Sequence, residues 1–158
     1  MIESRDLAFE IQAAWVEPNQ PAAVFEAAGR AFSKLVGFGL YTVTWIVPGG
    51  KEVERLHSTN TAVYPVGGRK PVTQDDYDTL VNQGKQPFLA RTPAEFATFP
   101  DQAVIVSLGL GAVMNLPVIY AGAVLGTVNL LDREGAYEVA QLAPAMVLAQ
   151  QILPAMLR

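Results

Sequence analysis

The sequence predicts an α+β protein in which helices at the two ends pack on a central antiparallel sheet. Three observations carry that expectation. Two pairs of β-rich runs, 40–47 with 51–58 and 112–120 with 123–132, are each joined by a glycine-bearing turn. The segments before Gly37 and after Tyr137 instead space their apolar side chains at helical intervals. A length of 158 residues at 51% hydrophobic composition supports one sizeable core, so residues 1–158 are expected to form a single domain.

The first helix is expected over 4–17, with Leu7, Ile11 and Trp15 on one stripe, and Pro18-Asn19-Gln20-Pro21 ends it. Pro21 suits the first turn of a second helix, where its missing N–H costs nothing. That helix buries Val24, Phe25, Ala28, Phe32 and Leu35 and stops at Gly37. The run from Leu40 to Val47 is β-branched and aromatic, and Pro48-Gly49-Gly50-Lys51 returns the chain. With Gly49-Gly50 as a two-residue loop, Thr42 faces His57, Thr44 faces Arg55 and Ile46 faces Val53. Tyr41, Val43 and Trp45 then face Ser58, Leu56 and Glu54 on the other side. One face is apolar at its centre, whereas the other carries Thr42, Thr44, Arg55 and His57.

Residues 59–71 read as a loop. Thr73 is expected to cap a helix carrying Tyr77, Leu80 and Val81 up to Gly84, and Phe88-Leu89-Ala90 suits a short strand. Thr92-Pro93-Ala94-Glu95 is a second cap. Val104-Ile105-Val106 fits either a strand or a short helix. Ala121-Gly122 turns the closing hairpin, and a helix is expected over 137–157, with Pro154 fraying its end.

Composition also narrows function. Eleven Lys and Arg against 15 Asp and Glu give a net charge of −4 with no basic block, which argues against nucleic acid as a partner. The cysteine count of zero removes thiolate metal sites, thiol nucleophiles and cysteine-attached cofactors. A single histidine, His57, cannot build a multi-histidine metal centre, so neither a metal nor a cofactor is expected. The N-terminus mixes charges and no apolar run reaches a membrane-spanning length, so a cytoplasmic protein without membrane contact is expected.

Several segments occur in a familiar order: Arg55-Leu56-His57-Ser58-Thr59-Asn60, Tyr64 to Lys70, Phe99-Pro100-Asp101, Ser107 to Gly111, Asn115-Leu116-Pro117-Val118 and Val124 to Leu131. Together they resemble a GAF domain over nearly the whole chain. The Asn-Leu-Pro-Val strand followed by Leu-Gly-Thr-Val-Asn-Leu is the most specific part. The resemblance implies a sheet of five or six strands, terminal helices on one side and a pocket under loops and short helices on the other. It also implies a free-standing sensory module, read out through a partner or its own oligomeric state. Catalysis of the methionine sulfoxide reductase kind and covalent bilin attachment need cysteines that this chain lacks. The Asn-Lys…Phe…Asp-Glu signature of cyclic-nucleotide-binding relatives is absent in order.

The expected ligand site comprises Thr42, Thr44, Arg55, His57, Tyr64, Tyr77, Asn115, Thr127 and Asn129. Arg55 would clamp an anionic group, or else pair with an acid such as Asp132. Asn115, Thr127 and Asn129 are polar positions in apolar strands and need partners, from a ligand or from loop backbone. The terminal helices carry more apolar surface than one sheet face covers. Leu7, Ile11, Trp15, Leu142, Met146, Ala149, Ile152 and Leu153 are therefore expected to form a homodimer interface. The leading expectation is a homodimeric sensor binding a small organic ligand. The alternatives are an enzyme acting on a small anionic metabolite through Arg55 and an acid/base His57, or an interaction module with a vestigial pocket.

Overall fold

The computed structural model describes residues 3–157. Six strands, β1 (Leu40–Ile46), β2 (Glu52–Ser58), β3 (Arg69–Pro71), β4 (Phe88–Ala90), β5 (Ala112–Tyr120) and β6 (Ala123–Asp132), form one sheet. Their order is β3-β2-β1-β6-β5-β4, and every neighbouring pair is antiparallel. β3 lies within the stretch expected to be loop. It is three exposed residues at the sheet edge, too short for any periodicity to show.

Helices α1 (Ser4–Ala13, continued by a 3-10 turn over Ala14–Val16), α2 (Ala22–Leu35), α4 (Leu142–Gln150) and α5 (Leu153–Met156) cover one face. Alternation along the strands turns Tyr41 and Val43, Met114, Leu116 and Val118, and Val128 and Leu130 towards them. They meet Leu7, Ile11, Phe25, Phe32, Leu148 and Ile152 in the main core. Each large apolar side chain fully buried there contributes about 1.5–3 kcal/mol. Tyr41 reaches through this layer and donates its hydroxyl to the Phe25 carbonyl at 3.0 Å.

Pro21 stands just ahead of α2 rather than inside its first turn. The C-terminal helix is broken: a 3-10 turn over Val139–Gln141 leads into α4, and the chain turns at 151–152 before α5. Pro154 explains the interruption, because its ring clashes with the carbonyl four residues earlier and it lacks an N–H. Val104-Ile105-Val106 lies in a short helix, α3 (Gln102–Ser107).

The first hairpin differs from expectation in two ways. Its connection has four residues. Val47 N–H donates to Glu52 O and Gly50 N–H to Val47 O, both at 2.9 Å. Pro48-Gly49 form the centre of a type II turn, which needs the positive φ of +101° that Gly49 adopts. Both loop lengths share one centre, so Thr44–Arg55, Trp45–Glu54 and Ile46–Val53 pair as the sequence suggests. Beyond them a β-bulge leaves Leu56 as an extra residue, and the pairing becomes Val43–His57 and Thr42–Ser58. The bulge moves His57 to the helix-covered face. In the closing hairpin Ala121 and Gly122 both take positive φ, as a type I′ turn requires.

Candidate functional site

The other sheet face is the floor of a cavity of about 140 Å³. Thr42 and Thr44 of β1, Thr127 and Asn129 of β6, and Asn115 of β5 form a polar cluster there, all but Thr44 buried. Asn129 is its centre. Its Oδ1 accepts from Asn115 Nδ2 at 2.7 Å and from Thr127 Oγ1 at 2.8 Å. Its Nδ2 donates to Thr42 Oγ1 at 3.1 Å and Thr44 Oγ1 at 3.4 Å. Thr44 and Thr127 hydroxyls share a further hydrogen bond of 2.7 Å. Three strands are cross-linked through side chains.

The roof is the segment 72–84 with Phe99–Asp101. Its helical part, residues 78–83, winds as a π-helix. The cap is Asp75 rather than Thr73. The Asp75 carboxylate accepts the Asp78 N–H at 3.0 Å and the Thr73 hydroxyl at 2.8 Å. Buried Asp78 accepts from Asn82 Nδ2 and Gln83 Nε2, both at 2.8 Å. Reaching partners four and five residues on suits the wider π turn. Tyr77 packs edge-on to Phe88 and Phe99, each at 5.4 Å, and its hydroxyl sits against Thr127. Burial is the main reason that its hydroxyl is held well above the ordinary tyrosine range.

Arg55 forms the wall. Its Nη1 donates to the Pro65 carbonyl at 3.1 Å, and the guanidinium lies 4.9 Å from the centre of the Tyr64 ring. The Tyr64 hydroxyl donates to Asp101 Oδ2 at 2.8 Å. Burial pushes the Arg55 guanidinium down from its ordinary range, opposed by the charges of Tyr64 and Asp101. Burial, then the Asp101 hydrogen bond, lifts Tyr64 well above its own range. Asp132, the acid suggested for Arg55, instead accepts the Arg133 N–H at 2.8 Å. Among the described residues two buried side-chain atoms have no hydrogen-bond partner: Arg55 Nε, a donor, and Asn115 Oδ1, an acceptor. Each unmade hydrogen bond costs about 1–3 kcal/mol.

Eight of the nine residues expected at the ligand site therefore border this cavity. His57 does not. It stacks 5.0 Å from the Tyr41 ring and 5.8 Å from Phe25, in a shallow depression beside α2. Arg55 and His57 open onto opposite faces, which removes the pairing an enzymatic reading needs. Burial lowers the His57 pKa below 6.5, with Glu26 opposing.

Lys70, Asp75, Asn82, Phe99 and Asp101 also line the cavity and were not among the residues expected at the ligand site. Lys70 and Phe99-Pro100-Asp101 did stand among the segments that resemble a GAF domain. Of the expected dimer contacts, Leu7, Ile11, Ala149 and Ile152 are fully buried within the chain, so they are core rather than surface. Leu142, Met146 and Leu153 are half-buried, and Trp15 is exposed.

By sequence, neither a family model nor a curated protein matches the chain. By structure, many do. The GAF domain of an Acinetobacter phosphoenolpyruvate-protein phosphotransferase superposes with a TM-score of 0.72 at 11% identity, covering 97% of this chain and 89% of that one. The chain has the GAF fold. The GAF domain of a Bacillus halodurans two-component sensor histidine kinase superposes at 0.70 with 13% identity, covering 87% and 93%. The chromophore-binding domain of an R. palustris bacteriophytochrome gives 0.67 at 11%, with 94% of this chain spanning 58% of that structure. The six-stranded antiparallel sheet with its helices matches this GAF architecture. Among the described residues no helix is long and apolar enough to cross a membrane.

Proposed function

We propose that this GAF-fold chain is a small-molecule-binding sensory module, with its ligand held between the Asn129 cluster and the aromatic roof. The two orphaned polar atoms carry the reading. A buried donor on Arg55 and a buried acceptor on Asn115, both on residues bordering one cavity, are what a bound molecule of matching polarity would satisfy. The solved neighbours include a sensor histidine kinase domain and a chromophore-binding domain, which supports a sensory role. A chromophore of bilin size does not fit here. The cavity of about 140 Å³ is close to one that accepts a single six-membered ring.

Native mass spectrometry of freshly purified protein, compared with the denatured chain, tests the reading. A discrete extra mass retained natively and lost on denaturation is the expected result. No retained mass, together with no thermal shift from a panel of neutral, anionic and cationic metabolites, would leave the interaction-module alternative standing.

Self-association through the terminal helices belongs to the same proposal, with its surface revised. α1 and α4 lie side by side, and Gln12 Nε2 donates to Gln151 Oε1 at 2.6 Å. Phe9 at 58% exposure, Val16 at 85% and Val147 at 44%, with Trp15, present the apolar surface that a second copy would cover. In this reading residues 1–158 act as one cytoplasmic domain.

A further inference from the structure

We infer that the ligand is a monocarboxylate of about one ring in size, carrying an N–H or O–H donor at its far end. The inference rests on the binding role proposed above and specifies its chemistry.

The carboxylate end is set by the β2–β3 wall. Arg55 spends Nη1 on Pro65, which leaves the edge formed by Nε and Nη2 without a protein partner among the described residues. That edge presents two parallel N–H bonds, the geometry that a carboxylate accepts. Lys70 pairs with Val53, so it shares the cavity face and lies diagonal to Arg55, about 7–8 Å away along the strands. Neither cation forms an ion pair among the described residues. The contrast with Arg69 is informative. One residue along β3 and on the opposite face, Arg69 bonds Glu54 at 2.9 Å and approaches Glu52 at 4.0 Å. The same short strand thus neutralises its outward cation and leaves the inward one open.

Two carboxylates do border the cavity, but both are committed. Asp101 accepts from Tyr64, and Asp75 accepts from Thr73 and the Asp78 N–H. Both help to hold the roof and wall in place.

The donor end is set by Asn115. Its Nδ2 donates to Asn129 Oδ1, while Asn129 Nδ2 donates to the Thr42 and Thr44 hydroxyls. Asn115 Oδ1 is left over and can only accept. β2 and β5 are separated by β1 and β6, so their backbones stand roughly 14 Å apart. A ligand touching both has to bridge whatever part of that gap the two side chains do not fill, which calls for a ring substituted at opposite ends. Neither orphan atom is open to water, so contact requires the roof and wall around them to yield.

The test is calorimetric titration of the whole chain with matched probes. These are 4-hydroxybenzoate, 4-aminobenzoate and 4-hydroxycyclohexanecarboxylate, each beside its primary amide and its analogue lacking the distal donor. At least one carboxylate with a distal donor is expected to bind about tenfold or more tightly than its amide and its donor-less analogue. Arg55→Gln, and to a smaller degree the exposed and structurally safe Lys70→Gln, should erase the preference over the amide while leaving that over the donor-less analogue. If the amides bind as well as the acids, or both variants keep the acid preference, the inference fails. If the native protein retains a neutral or cationic molecule and no carboxylate binds, the inference fails while the binding role stands. If nothing binds at all, both fail.

Discussion

Asn129 links β6 to β1 and β5 with three side-chain hydrogen bonds and makes a fourth to Thr127 on its own strand, so its removal strands several buried partners at once. Asn129→Ala is expected to cost about 2–4 kcal/mol, measured by urea unfolding with an unchanged m-value. His57 makes a different prediction. Its folded pKa lies below the ordinary 6.5, so the folded state takes up a proton less readily than the unfolded chain. The contribution is complete above pH 6.5 and is lost as pH falls through the folded pKa. The midpoint of thermal unfolding should therefore drop as pH falls below about 6.5, and the drop should vanish in His57→Gln. Glu26, Arg30 and Lys34 of α2 and Tyr41 of β1 share its depression, so the variant also needs its own baseline at pH 8. The polar positions 42, 44, 115, 127 and 129 were legible in the sequence because each interrupts an apolar strand on one parity. His57 was misplaced because one extra residue, Leu56, reverses parity, and a bulge leaves no mark in composition.

Strands and helices that differ in period were readable in order, down to the Thr92 and Glu95 pairing, in which Glu95 Oε2 accepts the Thr92 N–H at 3.0 Å. The three-residue β4 was readable from its apolar run and the roof helix from Tyr77, Leu80 and Val81, whereas β3, three exposed residues among turn formers, and the wider winding of the roof helix were not. The β1–β6 pairing carries a constraint of its own. A Cβ on Gly126 would stand 2.0 Å from the Thr44 carbonyl oxygen and 2.6 Å from Met156 Cε. Backbone cannot give way there without opening the sheet beside the Asn129 cluster. Gly126→Ala is expected to lower stability by about 4 kcal/mol or to yield no soluble protein, whereas Gly122→Asn, in a turn with nothing within 4 Å, should be nearly neutral.

At the scale of the whole molecule, the sequence overstated the free apolar surface of the terminal helices. Periodicity marks a stripe as apolar without saying whether the chain's own sheet already covers it, and Leu7, Ile11, Ala149 and Ile152 are covered. Substitutions should therefore separate folding from association. Ile152→Asp is expected to unfold the protein, because it puts a charge in the main core. Trp15→Asp combined with Val147→Asp should leave the circular dichroism spectrum intact while halving the mass seen by sedimentation equilibrium. A monomer in the unmodified protein, or a dimer unaffected by the double change, would remove self-association from the account.

The first and last helices lie on one side of the sheet and the cavity opens on the other. A fusion at either end, whether a fluorescent tag or an anchor to a sensor chip, would leave the mouth of the cavity unobstructed. The same layout means that occupancy would be felt at the tags by way of the strands, whose alternate side chains face cavity and helix. An optical reporter built on both ends would then register binding as strain passed through one layer of backbone.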